Sequence, residues 1–248
     1  MPDVMSSSRL IGVGVGPGDP ELVTVKGVNA LRAADVVVVP VMDTGERGRA
    51  EATVLHYAGA EKVVRVVFAL NERSDRGRRE AAWDAAGARV AGLLREHGVV
   101  AFATIGDPNV YSTFTYLAQT ISELVPDVVV ETVPGITAMQ DLAARSGAVL
   151  TEGTEPLTLV PVTAGAEVLK EALSGAGTVV AYKFGRQAGE VVEALRETGR
   201  LDDAVWGSAL GLAEESVRPA AELDGSPLPY LSTLIAPPRR DGGRGGKL

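Results

Sequence analysis

The chain is 248 residues long, 46% hydrophobic but only 4% aromatic, with no cysteine, two histidines and a net charge of −8. That length allows one large domain or two modest ones with a real core, and the missing cysteines exclude disulfides, thiolate metal sites and a cysteine nucleophile. The acidic balance argues against a nucleic-acid partner, and no apolar stretch reaches the ~18–20 residues needed to span a bilayer. His56 and His97 fall in no metal-ligand spacing, so no metal is expected. Met1–Arg9 lacks the basic-then-apolar layout of a signal peptide, and a cytoplasmic protein is expected.

Strand and helix signals alternate through the first half. Leu10–Val15 reads as a strand, Thr24–Ala34 as a helix, Val36–Val39 as a strand, Glu51–Tyr57 as a short helix and Val63–Phe68 as a strand. Arg76–His97 is a long helix ending at Gly98, with Trp83 as packing and its charges as a solvated face. Val99–Thr104, Thr113–Leu124, Val128–Val133 and Thr137–Ser146 continue the alternation. Valine-rich strands in βα order predict a parallel sheet with helices on both faces. Gly147–Pro156 changes character and resembles a linker. Beyond it, Leu157–Val162, Val179–Tyr182, Trp206–Leu210 and Leu231–Ile235 read as strands, and Glu167–Leu173 and Ala188–Glu197 as helices. The expected architecture is two α/β domains. The first (10–148) is mostly parallel, the second (157–236) has a mixed sheet, 149–156 is the linker, and the ligand cleft lies between the domains. Disorder is expected at 1–9 and in the Pro-, Gly- and Arg-rich tail 237–248.

Three turns carry the functional information: Gly12-Val-Gly-Val-Gly-Pro-Gly-Asp-Pro20, Ile105-Gly-Asp-Pro108 and Pro134-Gly-Ile-Thr-Ala138. Each follows a strand. Glycine and proline there let bare backbone approach a ligand, at the strand ends where open α/β sheets bind. The first turn is not a dinucleotide site: reading G-x-G-x-x-G from Gly12, Gly14 or Gly16 puts Pro17, Asp19 or Glu21 at the third glycine. No Gly-Lys-Ser/Thr follows, so it is not a P-loop either. The acids Asp19 and Asp107 fit a ligand with positive charge or hydroxyl and amine donors.

Together the three motifs resemble those of the tetrapyrrole methylases, over nearly the whole chain from Leu10 to about Ile235. The first loop with Glu21-Leu-Val-Thr24, the Gly106-Asp107-Pro108 turn with Tyr111-Ser112, and Pro134–Ala138 are the matching segments. The resemblance implies S-adenosyl-L-methionine as methyl donor, a tetrapyrrole acceptor, no metal and a homodimer. Within the family, Gly12–Lys26, Thr104–Thr113 and Tyr182-Lys183 are most similar to the branch that methylates precorrin-2 at its C20 meso carbon on the way to cobalamin. By resemblance, Ile105, Gly106 and Asp107 border the donor's methionine and ribose, Val110 and Ser112 the methionine tail, and Thr137 and Ala138 the adenosine. Lys183 and Gly211 contribute from the second domain.

On the acceptor side the resemblance points to Pro17 and Asp19, with Asp19 orienting a pyrrole N–H or acting as base. A plain turn-initiating role for Asp19 is the alternative. A polycarboxylate acceptor calls for arginines at the strand ends, and Arg47, Arg49 and Arg186 are the candidates. Exposed loop arginines without function are the alternative for each. In the uroporphyrinogen-III methyltransferases an acid follows the second strand. Pro40 stands there in this chain, so no base transfers from that precedent. The rivals are a cobalt-loaded precorrin-2, another precorrin step, a diphthine-type or ribosomal RNA ribose acceptor on the same fold, a nicotinamide-dependent oxidoreductase, and a non-catalytic binding protein. The broken glycine pattern disfavours the oxidoreductase, and the acidic charge the RNA acceptor.

Overall fold

A computed structural model describes residues 8–68 and 76–240. The chain divides into two compact units, Met1–Thr137 and Ala138–Leu248.

The first unit runs β1 (Arg9–Gly14), α1 (Val25–Ala33), β2 (Val36–Val41), α2 (Arg49–Val54), β3 (Val63–Val67), α3 (Arg76–His97), β4 (Val99–Thr104), α4 (Phe114–Leu124) and β5 (Val129–Val133). Its sheet has the order β3-β2-β4-β1-β5, and every pairing is parallel. Alternate strand residues feed two cores. Ile11, Val13, Val37 and Val39 pack with Leu31 of α1 and Val54 of α2. Leu10, Val36, Val38 and Phe102 pack with Leu94 of α3 and Ile121 of α4. Trp83 joins this second core, stacked on Tyr116 at 4.8 Å. Thr24 caps α1, its Oγ1 accepting from the Gly27 N–H at 3.0 Å, a contact worth about 1 kcal/mol. Pro40 is tolerated in an interior strand because pairing of β2 with β4 stops at Val38.

The second unit runs α5 (Ala138–Ser146), β6 (Leu157–Pro161), α6 (Ala166–Leu173), β7 (Thr178–Tyr182), α7 (Ala188–Glu197), β8 (Val205–Ser208), β9 (Ser216–Pro219) and β10 (Ser232–Ala236). The sheet order is β6-β7-β10-β8-β9, with β6 and β7 parallel and the other pairings antiparallel. One face, with Val179, Ala181, Trp206 and Leu234, is covered by Leu169 and Leu173 of α6 and Val191 and Leu195 of α7. Leu142 of α5 packs on the other face with Val180, Leu210 and Ile235.

The mixed second sheet and parallel first sheet match the expected fold class. Four details differ. The units divide at Thr137–Ala138 and not in the 149–156 stretch, because α5 buries Leu142 against the second sheet. Strand β9 is additional: Ser216-Val-Arg-Pro219 is held by its antiparallel ladder to β8. Ser8 and Arg9, placed with a disordered terminus, join the sheet through Val129 N–H to Ser8 O at 2.8 Å and a forked Arg9–Glu131 pair. At the other end Arg240 grips Glu155 and the Val149 carbonyl, so 237–240 belong to the fold. The rest of both expected disordered ends, 1–7 and 241–248, lies outside the described residues.

Candidate active site

Strands β1 and β4 are neighbours, yet β1 leads to α1 on one face and β4 to α4 on the other. Where adjacent parallel strands send their chains to opposite faces, a crevice opens at their carboxyl ends. All three glycine turns of the sequence meet there. The Gly106 N–H donates to the Gly16 carbonyl at 2.8 Å. A Cβ on Gly14 would stand 2.5 Å from the Gly106 carbonyl oxygen and 2.6 Å from the Gly135 nitrogen. A Cβ on Gly135 would run into the same Gly106 oxygen and into Gly14. The turns therefore touch main chain to main chain, which only glycine permits. Beside Gly106, at φ 70°, the space is open: the nearest atom to a Cβ built there is Thr137 Cα at 3.9 Å.

Asp107 ties this cluster together. Its Oδ2 accepts from the Gly135 N–H at 2.9 Å and its Oδ1 from the Asn109 N–H at 2.8 Å. A carboxylate bonded to backbone N–H groups makes stronger hydrogen bonds than a neutral acceptor. Asp107 is thus a clamp between the second and third turns, a role that its place in an Asp-Pro turn does not reveal. Ile105, Asp107, Val110 and Ser112 are half-buried, and Gly106 and Thr137 buried. The Ser112 hydroxyl lies 3.0 Å from Thr104 Oγ1 and accepts from the Phe114 N–H at 3.1 Å. Tyr111 between them is left-handed at φ 49°, a strained conformation of the kind found at ligand sites. Burial raises its phenol pKa.

The acceptor-side candidates of the first unit flank this edge. Pro17 is buried and Asp19 half-buried. Asp19 caps the 3₁₀ turn Pro20–Leu22, its Oδ1 accepting from the Glu21 N–H at 2.9 Å. The turn-initiating role is therefore real, whatever else the carboxylate does. Arg47 and Arg49, both exposed, sit on the loop after β2 and at the start of α2. That loop leans on a charge absent from the candidate set. Arg65, the cation inside Val63–Val67, puts its fork on the buried Glu51 at 2.8 Å from each oxygen. The Arg65 hydrogen bond holds the Glu51 carboxyl below its ordinary pKa, against the opposing push of burial. A lone arginine within an apolar strand was the available signal for this partner.

In the second unit, Lys183 follows β7 and Gly211 follows β8. Tyr182 pairs with Thr233 and Ser208 with Ser232, so both turns lie at one edge of the sheet, by the start of β10. Lys183 is left-handed at φ 60° with its ammonium 5.9 Å from the Tyr230 ring centroid, and Ala209 is left-handed at φ 50°. The Gly211 N–H donates to Glu215 at 2.7 Å. Glu215 pairs with Arg145 at 2.9 Å, and Arg145 with Asp141 at 2.8 Å. Ala138 begins α5, where the Met139 N–H donates to the Tyr182 hydroxyl at 3.3 Å. Arg186 is exposed on the 3₁₀ turn after β7.

Residues 9–224 match the model of the Tetrapyrrole (Corrin/Porphyrin) Methylases, and the chain belongs to that family. It is 31% identical over 240 residues to a precorrin-2 C(20)-methyltransferase of Sinorhizobium sp, covering 94% of this chain and 96% of that one. It is 29% identical to a cobalt-precorrin-2 C(20)-methyltransferase of Salmonella typhimurium, over 92% of this chain and 96% of the relative. In fold it resembles a uroporphyrin-III C-methyltransferase of Thermus thermophilus complexed with S-adenyl homocysteine. The TM-score is 0.64 at 22% identity, over 92% and 97% of the two chains.

Proposed function

We propose that this tetrapyrrole methylase transfers a methyl group from S-adenosyl-L-methionine to the C20 meso carbon of precorrin-2, in cobalamin biosynthesis. The observation that carries the donor side is the interlock of Gly14, Gly106 and Gly135 at the strand ends, with open space beside Gly106. Turns of small residues with room beside them suit a polar nucleoside seated close to the main chain at the strand ends. When bound, the donor supplies a methyl group activated by its positive sulfur, which the electron-rich meso carbon takes with release of a neutral thioether and a proton.

The chain's own residues have to hold, orient and keep dry. In this reading Ile105, Gly106, Asp107, Val110, Ser112, Thr137 and Ala138 are the donor residues around the glycine turns, and Lys183 and Gly211 are the second unit's own donor candidates. Asp107 acts by fixing the Gly135 turn, so the donor surface is set before the ligand arrives. Pro17, Asp19, Arg47 and Arg49 are the first unit's acceptor residues in this reading, and Arg186 is the second unit's candidate. Arginine suits its acetate and propionate arms because the guanidinium fork matches a carboxylate. Asp19, already oriented by its cap bond, is the candidate for a pyrrole N–H partner or proton acceptor. We read the chain as a cytoplasmic homodimer that needs no metal. Among the described residues, no helix is long and apolar enough to cross a membrane. Sedimentation would test the dimer.

The relatives' names carry the acceptor, and a cobalt-loaded precorrin-2 is the second reading because of the Salmonella typhimurium relative. Incubation with ¹³C-methyl donor and precorrin-2, with and without cobalt, tests both. One added methyl by mass spectrometry and a labelled carbon on C20 by NMR is expected. Label on another carbon, or no transfer to either form, overturns the assignment.

A further inference from the structure

Three side chains on or just after α2 reach out to two separate loops. The Tyr57 hydroxyl donates to the Pro20 carbonyl at 2.7 Å, and the Thr53 hydroxyl to the Gly18 carbonyl at 3.3 Å. Gly18 and Pro20 flank Asp19. In the other direction Glu51, only 4% exposed, receives the Arg65 fork, and Arg65 passes its remaining nitrogen to the Thr44 carbonyl at 2.8 Å. Thr44 belongs to the loop that carries Arg47.

None of these contacts is needed to bury the helix, since Ala50 and Val54 already seat it on the β1–β2 core. A buried ion pair is also weak as a source of stability, because desolvation offsets most of its attraction. What these contacts share is direction: Tyr57, Thr53 and Arg65 each end on a loop carbonyl at the carboxyl edge of the first sheet, and Glu51 holds Arg65 in place. Neither contact touches Gly14, Gly106 or Gly135.

We infer that α2 is a strut that sets the acceptor loops through contacts separate from the glycine interlock, with Tyr57 and Thr53 positioning 18–20 and the Arg65–Glu51 pair positioning 42–48. The inference deepens the acceptor reading above and rests on it for its kinetic consequence. The four are positioning residues: they act through Asp19, Arg47 and Arg49.

The test uses the full chain and the variants Tyr57→Phe, Thr53→Val, Thr53→Ser and Arg65→Lys. Loss of one hydrogen bond to a loop carbonyl should raise KM for precorrin-2 about tenfold in Tyr57→Phe and Thr53→Val. Calorimetric affinity for S-adenosylhomocysteine should stay within about twofold, and Thr53→Ser, which keeps the hydroxyl, should restore KM. Hydrogen exchange at the Leu22 and Val23 amides, which bond to Asp19 and Pro20, should quicken in Tyr57→Phe. Arg65→Lys loses the fork and should raise KM while leaving that exchange unchanged. Unchanged KM and exchange in Tyr57→Phe and Thr53→Val overturn the strut, as does an equal fall in S-adenosylhomocysteine affinity. Wild-type protein that leaves both forms of precorrin-2 unmethylated overturns the acceptor reading instead, and the exchange rates then decide the strut alone.

Discussion

The edges that carry the candidate residues in the two sheets are built by opposite means. In the first unit the edge is backbone against backbone: Gly14, Gly106 and Gly135 in contact, pinned by the Asp107 carboxylate. In the second unit the turn after β8 is held by a chain of charges, Gly211 to Glu215 to Arg145 to Asp141. Its left-handed positions are filled by Lys183 and Ala209 and not by glycine alone. Steric contact has no tolerance, while a partly exposed ion pair is screened and replaceable. The first edge should therefore fail abruptly and the second by degrees.

Gly135→Ala should break the first edge most severely. The added methyl meets a carbonyl oxygen, and S-adenosylhomocysteine affinity should fall about 100-fold, some 2.7 kcal/mol. Calorimetry checks the binding and circular dichroism the fold. Full affinity in this variant would remove the glycine cluster from the donor site. Glu215→Gln should be milder. It keeps an acceptor for the Gly211 N–H but loses the ion pair, so Tm should drop ~2–4 °C and donor Kd rise about fivefold. A collapse as deep as that of Gly135→Ala would erase the distinction between the edges. Smallest of the three is Lys183→Asn, since asparagine tolerates the left-handed region. Tm should move by no more than ~2 °C, while loss of the cation weakens donor binding two- to threefold, on the order of 0.5 kcal/mol. Unchanged affinity would take Lys183 out of the donor set.

The same contrast governs how far the sequence could be read. Glycine, proline and capping residues act within a few positions of themselves, so Thr24 marks the start of α1 and Gly98 the end of α3. The three turns were legible for that reason, although their mutual contact was not. Features made by distant pairing left no local trace. Strand β9 is short and polar and exists through its ladder to β8. The division at Thr137–Ala138 depends on Leu142 reaching the second sheet, whereas composition pointed to 149–156. Arg240 joins the fold through Glu155, eighty-five positions earlier. Tyr57 and Thr53 are ordinary helix-end residues until their carbonyl partners are known.

Because Gly14 and Gly135 abut the neighbouring turns, neither can be replaced without displacing them, and Gly106 holds a left-handed φ of 70° that a side chain rarely adopts. On the proposed reading, sequence drift that retunes the acceptor proceeds elsewhere, in segments such as 18–20 and 42–49 that are fastened by hydroxyls and a guanidinium. Libraries aimed at a new acceptor should spare Gly14, Gly106 and Gly135 and randomise the tethers.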